Sequence, residues 1–243
     1  MFSPRVALAS LSGEADAEWA EACARPAGAA FLGGIAVDEP TREAARELVE
    51  RDREEFLPED PIAFVDDELA ALDDAFLRAG VNVRAVELPR LRAAAAVCAD
   101  HDAILEVNAH CRQAEMCDAG AGEALLRDTE RLCEQVTAAS EEGAPVSVKV
   151  RAEVEGVHLP TLAKAIERAG ADAVHVDAMD SRRVVRDIAE ATELFVIANN
   201  GVRDREDVFE YLAYGADAVS VGRPSRDLEE VQSVYAAVKE WFL

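Results

Sequence analysis

Two short stretches of the chain concentrate side chains suited to proton transfer. They are Asn108-Ala109-His110-Cys111-Arg112 and Ser147-Val148-Lys149-Val150-Arg151. A thiol between a histidine and an arginine sits in an electropositive neighbourhood, where its proton can be poised for transfer, so Cys111 is the candidate catalytic acid. In the second stretch Val146, Val148 and Val150 share one face of a strand, which turns Ser147, Lys149 and Arg151 to the other. The same parity pairs Asn82 with Arg84, Glu106 with Asn108, and His175 with Asp177, and it adds Asn199 and Ser220. Lys149 is the second candidate catalytic group, and a buried ammonium needs an anion nearby. That anion is either a ligand or an internal partner, with Glu106 and Asp177 the internal candidates. His110, Cys111 and Cys117 match no zinc-ligand spacing.

Two further stretches suit an anionic group. Asn199-Asn200-Gly201 and Gly222-Arg223 combine small residues, whose backbone N–H groups can approach a phosphate, with one guanidinium. Either loop alone reads equally well as an ordinary turn. The run Gly120-Ala121-Gly122 lacks a third glycine and a preceding strand, so it is no dinucleotide fingerprint.

The elements that must hold these residues follow from an internal echo. Gly170-Ala171-Asp172-Ala173-Val174-His175-Val176 returns 45 residues later as Gly215-Ala216-Asp217-Ala218-Val219-Ser220-Val221. In each copy a helix-ending glycine leads into a short apolar strand, and one more helix–strand unit lies between them. Extended along the chain, the rule predicts strands at Val6–Ala9, Ala29–Leu32, Val83–Val86, Ala103–Val107, Val146–Val150, Ala173–Val176, Leu194–Ala198 and Ala218–Val221. Helical stretches between them include Leu159–Ala169, Ser181–Ala191 and Asp204–Tyr214. The long second gap carries helices at Thr41–Glu55 and Asp66–Ala79, read as an insertion plus the regular helix. Eight alternating units predict an α/β chain folded as one (β/α)8 TIM barrel over residues 1–243, with its site at the carboxyl ends of the strands.

Composition bounds the rest. There are 49 acidic against 25 basic residues, a net charge of −24 spread along the whole chain. Near 1 M salt the screening length falls to about 3 Å, so this excess predicts a salt-rich cytoplasm of the halophilic kind; a basic partner is the alternative. No run is long and apolar enough for a membrane helix, and Met1-Phe2-Ser3-Pro4-Arg5 leads straight into a strand rather than a signal segment. A cytoplasmic protein without membrane attachment is expected. Five cysteines, at 23, 98, 111, 117 and 133, are odd in number and predict reduced thiols.

At Ala9-Ser10-Leu11, Asn108-x-x-Cys111, Val148-Lys149-Val150-Arg151, Asn199-Asn200-Gly201-Val202 and Gly215-Ala216-Asp217-Ala218-x-x-x-Gly222-Arg223 the chain resembles the tRNA-dihydrouridine synthases. More distantly it is similar to the flavin domains of dihydroorotate and dihydropyrimidine dehydrogenases. The resemblance implies FMN at the mouth, held by Ala9, Asn82, Asn108, Lys149, Arg151, Asp177, Asn199, Gly201, Gly222 and Arg223. It implies a pyrimidine substrate, possibly within tRNA, NAD(P)H as transient electron donor, and Cys111 as proton donor to pyrimidine C5. The family reads Asn-x-Gly-Cys-Pro where this chain has His110 and Arg112, and the family's strand-six histidine falls on Asp177. The chain stops at Leu243, where the family continues into a helical tRNA-binding domain, and its net charge offers a polyanion no support, so no stable DNA binding is expected. Readings left open are a flavin barrel acting on a free base or other small molecule, a flavin-free phosphate-binding barrel with Lys149 as base or Schiff-base amine, and a non-catalytic barrel.

Overall fold

Short strands buried on both faces need helices outside and a filled interior. The computed structural model, which covers residues 1–243, meets that need with eight parallel strands closed in the order β1 to β8. They are β1 (Val6–Leu8), β2 (Ala29–Ala36), β3 (Arg78–Arg84), β4 (Ile104–Ala109), β5 (Val146–Arg151), β6 (Ala173–Asp177), β7 (Phe195–Asn199) and β8 (Ala218–Val221). The helices of the first half are α1 (Ala17–Ala22), α2 (Glu39–Val49), α3 (Pro61–Ala70), α4 (Leu88–Asp100), α5 (Ala114–Asp118) and α6 (Ala124–Arg127). Those of the second half are α7 (Thr129–Ser140), α8 (Leu159–Ala169), α9 (Val184–Ala189), α10 (Arg205–Ala213) and α11 (Leu228–Trp241). No helix is long and apolar enough to cross a membrane.

The repeated Gly-Ala-Asp has a physical explanation. Gly170 ends α8 at φ +106° and Gly215 follows α10 at φ +93°, a region that disfavours any side chain. Two residues on, the Asp172 carboxylate accepts the Val146 N–H at 2.8 Å and the Asp217 carboxylate accepts the Val196 N–H at 2.9 Å. Each aspartate thus ties the start of its strand to the strand before it. Aspartate also caps helices: Asp16, Asp38, Asp60, Asp128, Asp204 and Asp227 each accept an N–H of the first turn. Part of the acid excess therefore does local work.

The third strand starts earlier than the sequence predicts, at Arg78 rather than Val83, and α3 ends at Ala70 rather than Ala79. Gly80 lies within β3 opposite Phe31, where a Cβ would come within 2.8 Å of the Phe31 ring. Likewise β2 continues through Gly33-Gly34 to Ala36. In the second gap α2 stops at Val49, and the chain reverses through Asp52 at φ +58°.

The interior is divided along its axis. Phe2, Ala7, Ala29, Phe31, Ile104, Ile197 and Ala218 plug the amino-terminal end, while a larger cluster packs the strands against the helices. Above the plug the inward side chains turn polar. Register places Glu106 beside Asn82 and Ser147, Lys149 beside Asn108 and His175, and Asp177 beside Arg151 and Asn199.

Candidate active site

The polar half of the interior opens into a cavity of about 1130 Å³ at the carboxyl ends of the strands. Eight lysine and arginine residues line it against two aspartates. The sequence, read by net charge alone, hides this segregation.

At the floor, Glu106 is the centre of a closed network. Its Oε1 accepts from Asn82 Nδ2 at 2.7 Å, and its Oε2 accepts from Ser147 Oγ at 3.2 Å and from His175 Nδ1 at 2.8 Å. His175 Nε2 faces the Ser220 hydroxyl at 2.7 Å, and Asn199 Nδ2 donates to that hydroxyl, also at 2.7 Å. Burial opposes charge on Glu106, yet His175, Lys149 and Asn82 hold its carboxyl below the ordinary range. Burial also pulls His175 below its ordinary value against the pull of Glu106, so the imidazole is neutral, with its proton on Nδ1.

From this floor the network climbs to the cysteine. Asn108 Nδ2 donates to Asn82 Oδ1 at 2.7 Å, and Asn108 Oδ1 accepts the backbone N–H groups of His110 at 3.1 Å and Cys111 at 2.9 Å. Cys111 is half-buried in the cavity wall. Its carbonyl accepts the Glu123 N–H at 2.8 Å, and the chain crosses there through Gly122, where a Cβ would lie 2.3 Å from that oxygen. The Gly-Ala-Gly run is therefore a crossing point for the cysteine loop.

A second histidine–carboxylate pair stands at the mouth. His110 Nε2 lies 2.7 Å from Asp177 Oδ2, and Asp177 Oδ1 accepts the Met179 N–H at 3.2 Å. Burial opposes its ionisation, but the hydrogen bond from His110 and those of Met179 and Asn200 bring Asp177 down to about 2. Burial, aided by the charges of Lys149 and Arg151, sets His110 below its ordinary value despite Asp177.

Lys149 is buried, and burial pulls its ammonium below the ordinary value against Glu106 and Asp177. Its one side-chain hydrogen bond is to Ser10 Oγ at 3.2 Å. Lys149 makes no ion-pair contact with either carboxylate: Glu106 is bonded into the floor network and Asp177 to His110, although both still act on its charge. Arg151 does pair internally, but with Glu123 at 3.6 Å, and its Nε stays buried without a partner.

The loops after β7 and β8 meet across the cavity. Asn200 at φ +82° and Gly201 at φ +65° curl the first, and a Cβ on Gly201 would press to 2.9 Å on Arg182 Nη2. Arg182 is braced by Asp207 and Glu210, each at 2.6 Å. A Cβ on Gly222 would meet open space, and Arg223 beside it is exposed with no carboxylate in ion-pair contact. This arrangement suits a phosphate, with glycine backbone free of side chains on one side and a guanidinium without an ion pair on the other.

Of the residues singled out in the sequence, Asn82, Asn108, Cys111, Lys149, Arg151, Asp177, Asn199, Gly201, Gly222 and Arg223 all line this cavity. Ala9 does not. It is buried past the end of β1, with its N–H on the Val221 carbonyl at 2.8 Å, and Ser10 takes the place in the wall. Sequence reasoning missed several contributors, Arg182 among them. Ser12 and Glu55 both hold Arg84, the latter at 2.6 Å, and Arg53 reaches the rim from the insertion. Parity flagged Arg84 as inward, but no local signal shows which distant segment will meet it.

A family model described as dihydrouridine synthase matches residues 83–228. The chain is 28% identical over 232 residues to an uncharacterized protein of Methanocaldococcus jannaschii, covering 90% of this chain and 88% of that one. It is 26% identical over 239 residues to tRNA-dihydrouridine synthase B of Xanthomonas axonopodis pv. citri, covering 93% and 67% of the two chains. Among solved structures, deoxyribose phosphate aldolase from Aeropyrum pernix superposes with a TM-score of 0.62 at 16% identity, covering 98% of this chain and 90% of the other, a likeness of fold alone.

Proposed function

Because the chain belongs to the dihydrouridine synthase family, we propose that it is an FMN-dependent oxidoreductase that reduces the C5=C6 bond of a uracil ring. The observation that supports this best is the meeting of three groups in one cavity: the Cys111 thiol, the Lys149 ammonium without an ion-pair partner, and the glycine loops with Arg223. FMN fits that donor set. Its phosphate suits Gly201, Gly222 and Arg223, and the orphaned Arg151 Nε and the Lys149 ammonium supply donors for an electron-rich ring system. When bound, FMN supplies hydride, and NAD(P)H as transient donor replenishes it.

The protein's own part is proton and charge management. Cys111 holds the proton for C5, and Asn108 fixes the loop that carries the thiol. Lys149 offsets negative charge that grows on the ring system. Uridine within tRNA is the proposed substrate, and the concentration of cations at the mouth favours an anionic one despite the acidic remainder of the chain. That acidic remainder fits a salt-rich cytoplasm. Recovery of circular dichroism on adding KCl to protein in dilute buffer is the expected sign.

The test is spectroscopic. Protein reconstituted with FMN and reduced should be reoxidised by a uridine-containing RNA, and Cys111→Ala should slow that step by roughly 10²–10⁴ while still binding FMN. Absence of flavin bands after reconstitution overturns the reading; an unchanged reoxidation rate in Cys111→Ala overturns the role of the thiol.

A further inference from the structure

His110 and Asp177 lie 67 positions apart, on the loop after β4 and at the end of β6, and they meet in the wall of the cavity. Asp177 is an ionised carboxylate that can only accept, so the proton between the two belongs to His110 Nε2. In the neutral ring Nδ1 then carries a lone pair. No protein group donates to that nitrogen, and it is not sealed from the cavity, since the side chain is 29% exposed and Nδ1 is absent from the buried orphaned atoms. The ring cannot turn freely to spend it elsewhere. Its backbone is pinned by Asn108 Oδ1 at 3.1 Å and its far edge by Asp177 at 2.7 Å.

The surroundings of this acceptor are rich in donors. Lys149 and Arg151 are near enough for their charges to act on His110, and each offers N–H groups to the same cavity. A lone acceptor in a cavity whose other side chains mostly donate suits the N–H of a cyclic imide, which stands between two carbonyl oxygens. A cytosine ring presents a bare nitrogen at the same place, so two lone pairs would face each other.

Resting on the reading of the cavity as a pyrimidine site, we infer that His110, held in one tautomer by Asp177, accepts the imide N–H of the substrate and so selects uracil over rings that lack that hydrogen. Cys111 acts on the bond being reduced; His110 reads the opposite edge of the same ring. Asp177 acts through His110 and is a positioning residue.

Three probes and two variants test this. Short RNAs carrying uridine, cytidine or N3-methyluridine are compared as oxidants of the reduced holoenzyme and as ligands of the oxidised one, by flavin absorbance. The expected result is a preference of about 10- to 100-fold for uridine over both others, the worth of one polar group left unpaired. In His110→Leu that preference should collapse to within about threefold, and His110→Gln, whose amide oxygen can accept, should restore part of it. On ¹⁵N NMR of the wild type, uridine but not N3-methyluridine should shift the His110 Nδ1 signal. Equal handling of uridine and N3-methyluridine by the wild type overturns the inference while leaving the proposed function standing. So does a preference that survives unchanged in His110→Leu, which would make it steric. If no pyrimidine RNA binds or reoxidises the protein, both fall together.

Discussion

The floor pair His175–Glu106 and the mouth pair His110–Asp177 are built from the same chemistry at nearly the same distance, 2.8 and 2.7 Å. At the floor both side chains are fully buried, and each nitrogen and oxygen has a protein partner: Asn82 and Ser147 complete Glu106, and Ser220 completes His175. At the mouth the pair is partly open, and one imidazole nitrogen has no protein partner. The difference teaches that a histidine–carboxylate pair becomes scaffold or site according to how many of its hydrogen-bonding positions the protein itself fills.

The strongest challenge to that distinction is truncation. Glu106→Ala leaves His175 and Asn82 buried without their acceptor, and breaking a buried pair in this way costs about 3–5 kcal/mol. Asp177→Ala, at a partly open site, should cost less, about 1–2.5 kcal/mol, in keeping with a carboxyl held at about 2. Chemical denaturation in concentrated KCl measures both, and similar losses would erase the contrast.

A gentler probe is pH. His175 is held below its ordinary value, so the unfolded chain takes up a proton below about pH 6.5 that the folded chain refuses, and stability falls as pH falls. Glu106, held low, adds loss in the same direction but only as pH drops through the carboxylate range. Between pH 7 and 5 the wild type should therefore lose more than His175→Gln, by up to about 2 kcal/mol. Parallel pH profiles would show that His175 is not kept neutral.

Lys149 lies under the influence of both carboxylates and belongs to neither pair. Lys149→Met should leave the cofactor-free protein as stable or about 1 kcal/mol more so, since a buried ammonium without an ion pair is costly. FMN affinity should fall about tenfold, the worth of one charge-assisted hydrogen bond. A large loss of stability without FMN would make Lys149 part of the scaffold. The smallest effect sharpens the trend from the surface. His101 sits between Asp66 and Asp73, each at 2.9 Å, but those carboxylates are well exposed. His101→Ala should change stability by no more than about 0.5 kcal/mol; a loss like that at Glu106 would show that exposure is not the controlling variable.

Much of the fold was legible because the strands alternate and because Gly170 and Gly215 punctuate them. What was not legible was the start of β3. Gly80 is needed for the bulk of Phe31 across the sheet, a pairing that no local window contains. The site divides the same way. Parity correctly turned Glu106, Asn108, Lys149, Arg151, His175 and Asp177 inward, since a strand has only two faces. It could not show that Glu106 would be consumed by His175, that Arg151 would meet Glu123, or that Asp177 would hold His110. Those pairings depend on which side chains reach across the barrel, a matter of layer height and side-chain length rather than of face. Ala9 is absent from the cavity wall for a related reason: β1 stops one residue early, and Ser10 lines the cavity in its place.

The Asn108–Asn82–Glu106 chain also has a polarity. An amide can be turned end for end at little steric cost, so two amides in series could in principle point either way. A carboxylate at one terminus removes that freedom. It can only accept, so Asn82 must offer it the nitrogen, which leaves the Asn82 oxygen for Asn108 and the Asn108 oxygen for the N–H groups of His110 and Cys111. The carboxylate on the barrel floor and the two backbone N–H groups of the cysteine loop thereby impose the same sense on every link between them. The backbone N–H groups at the upper end can only donate, so a glutamine at 106 would have to turn its oxygen to Asn82 and would give up the acceptor that Ser147 and His175 Nδ1 share.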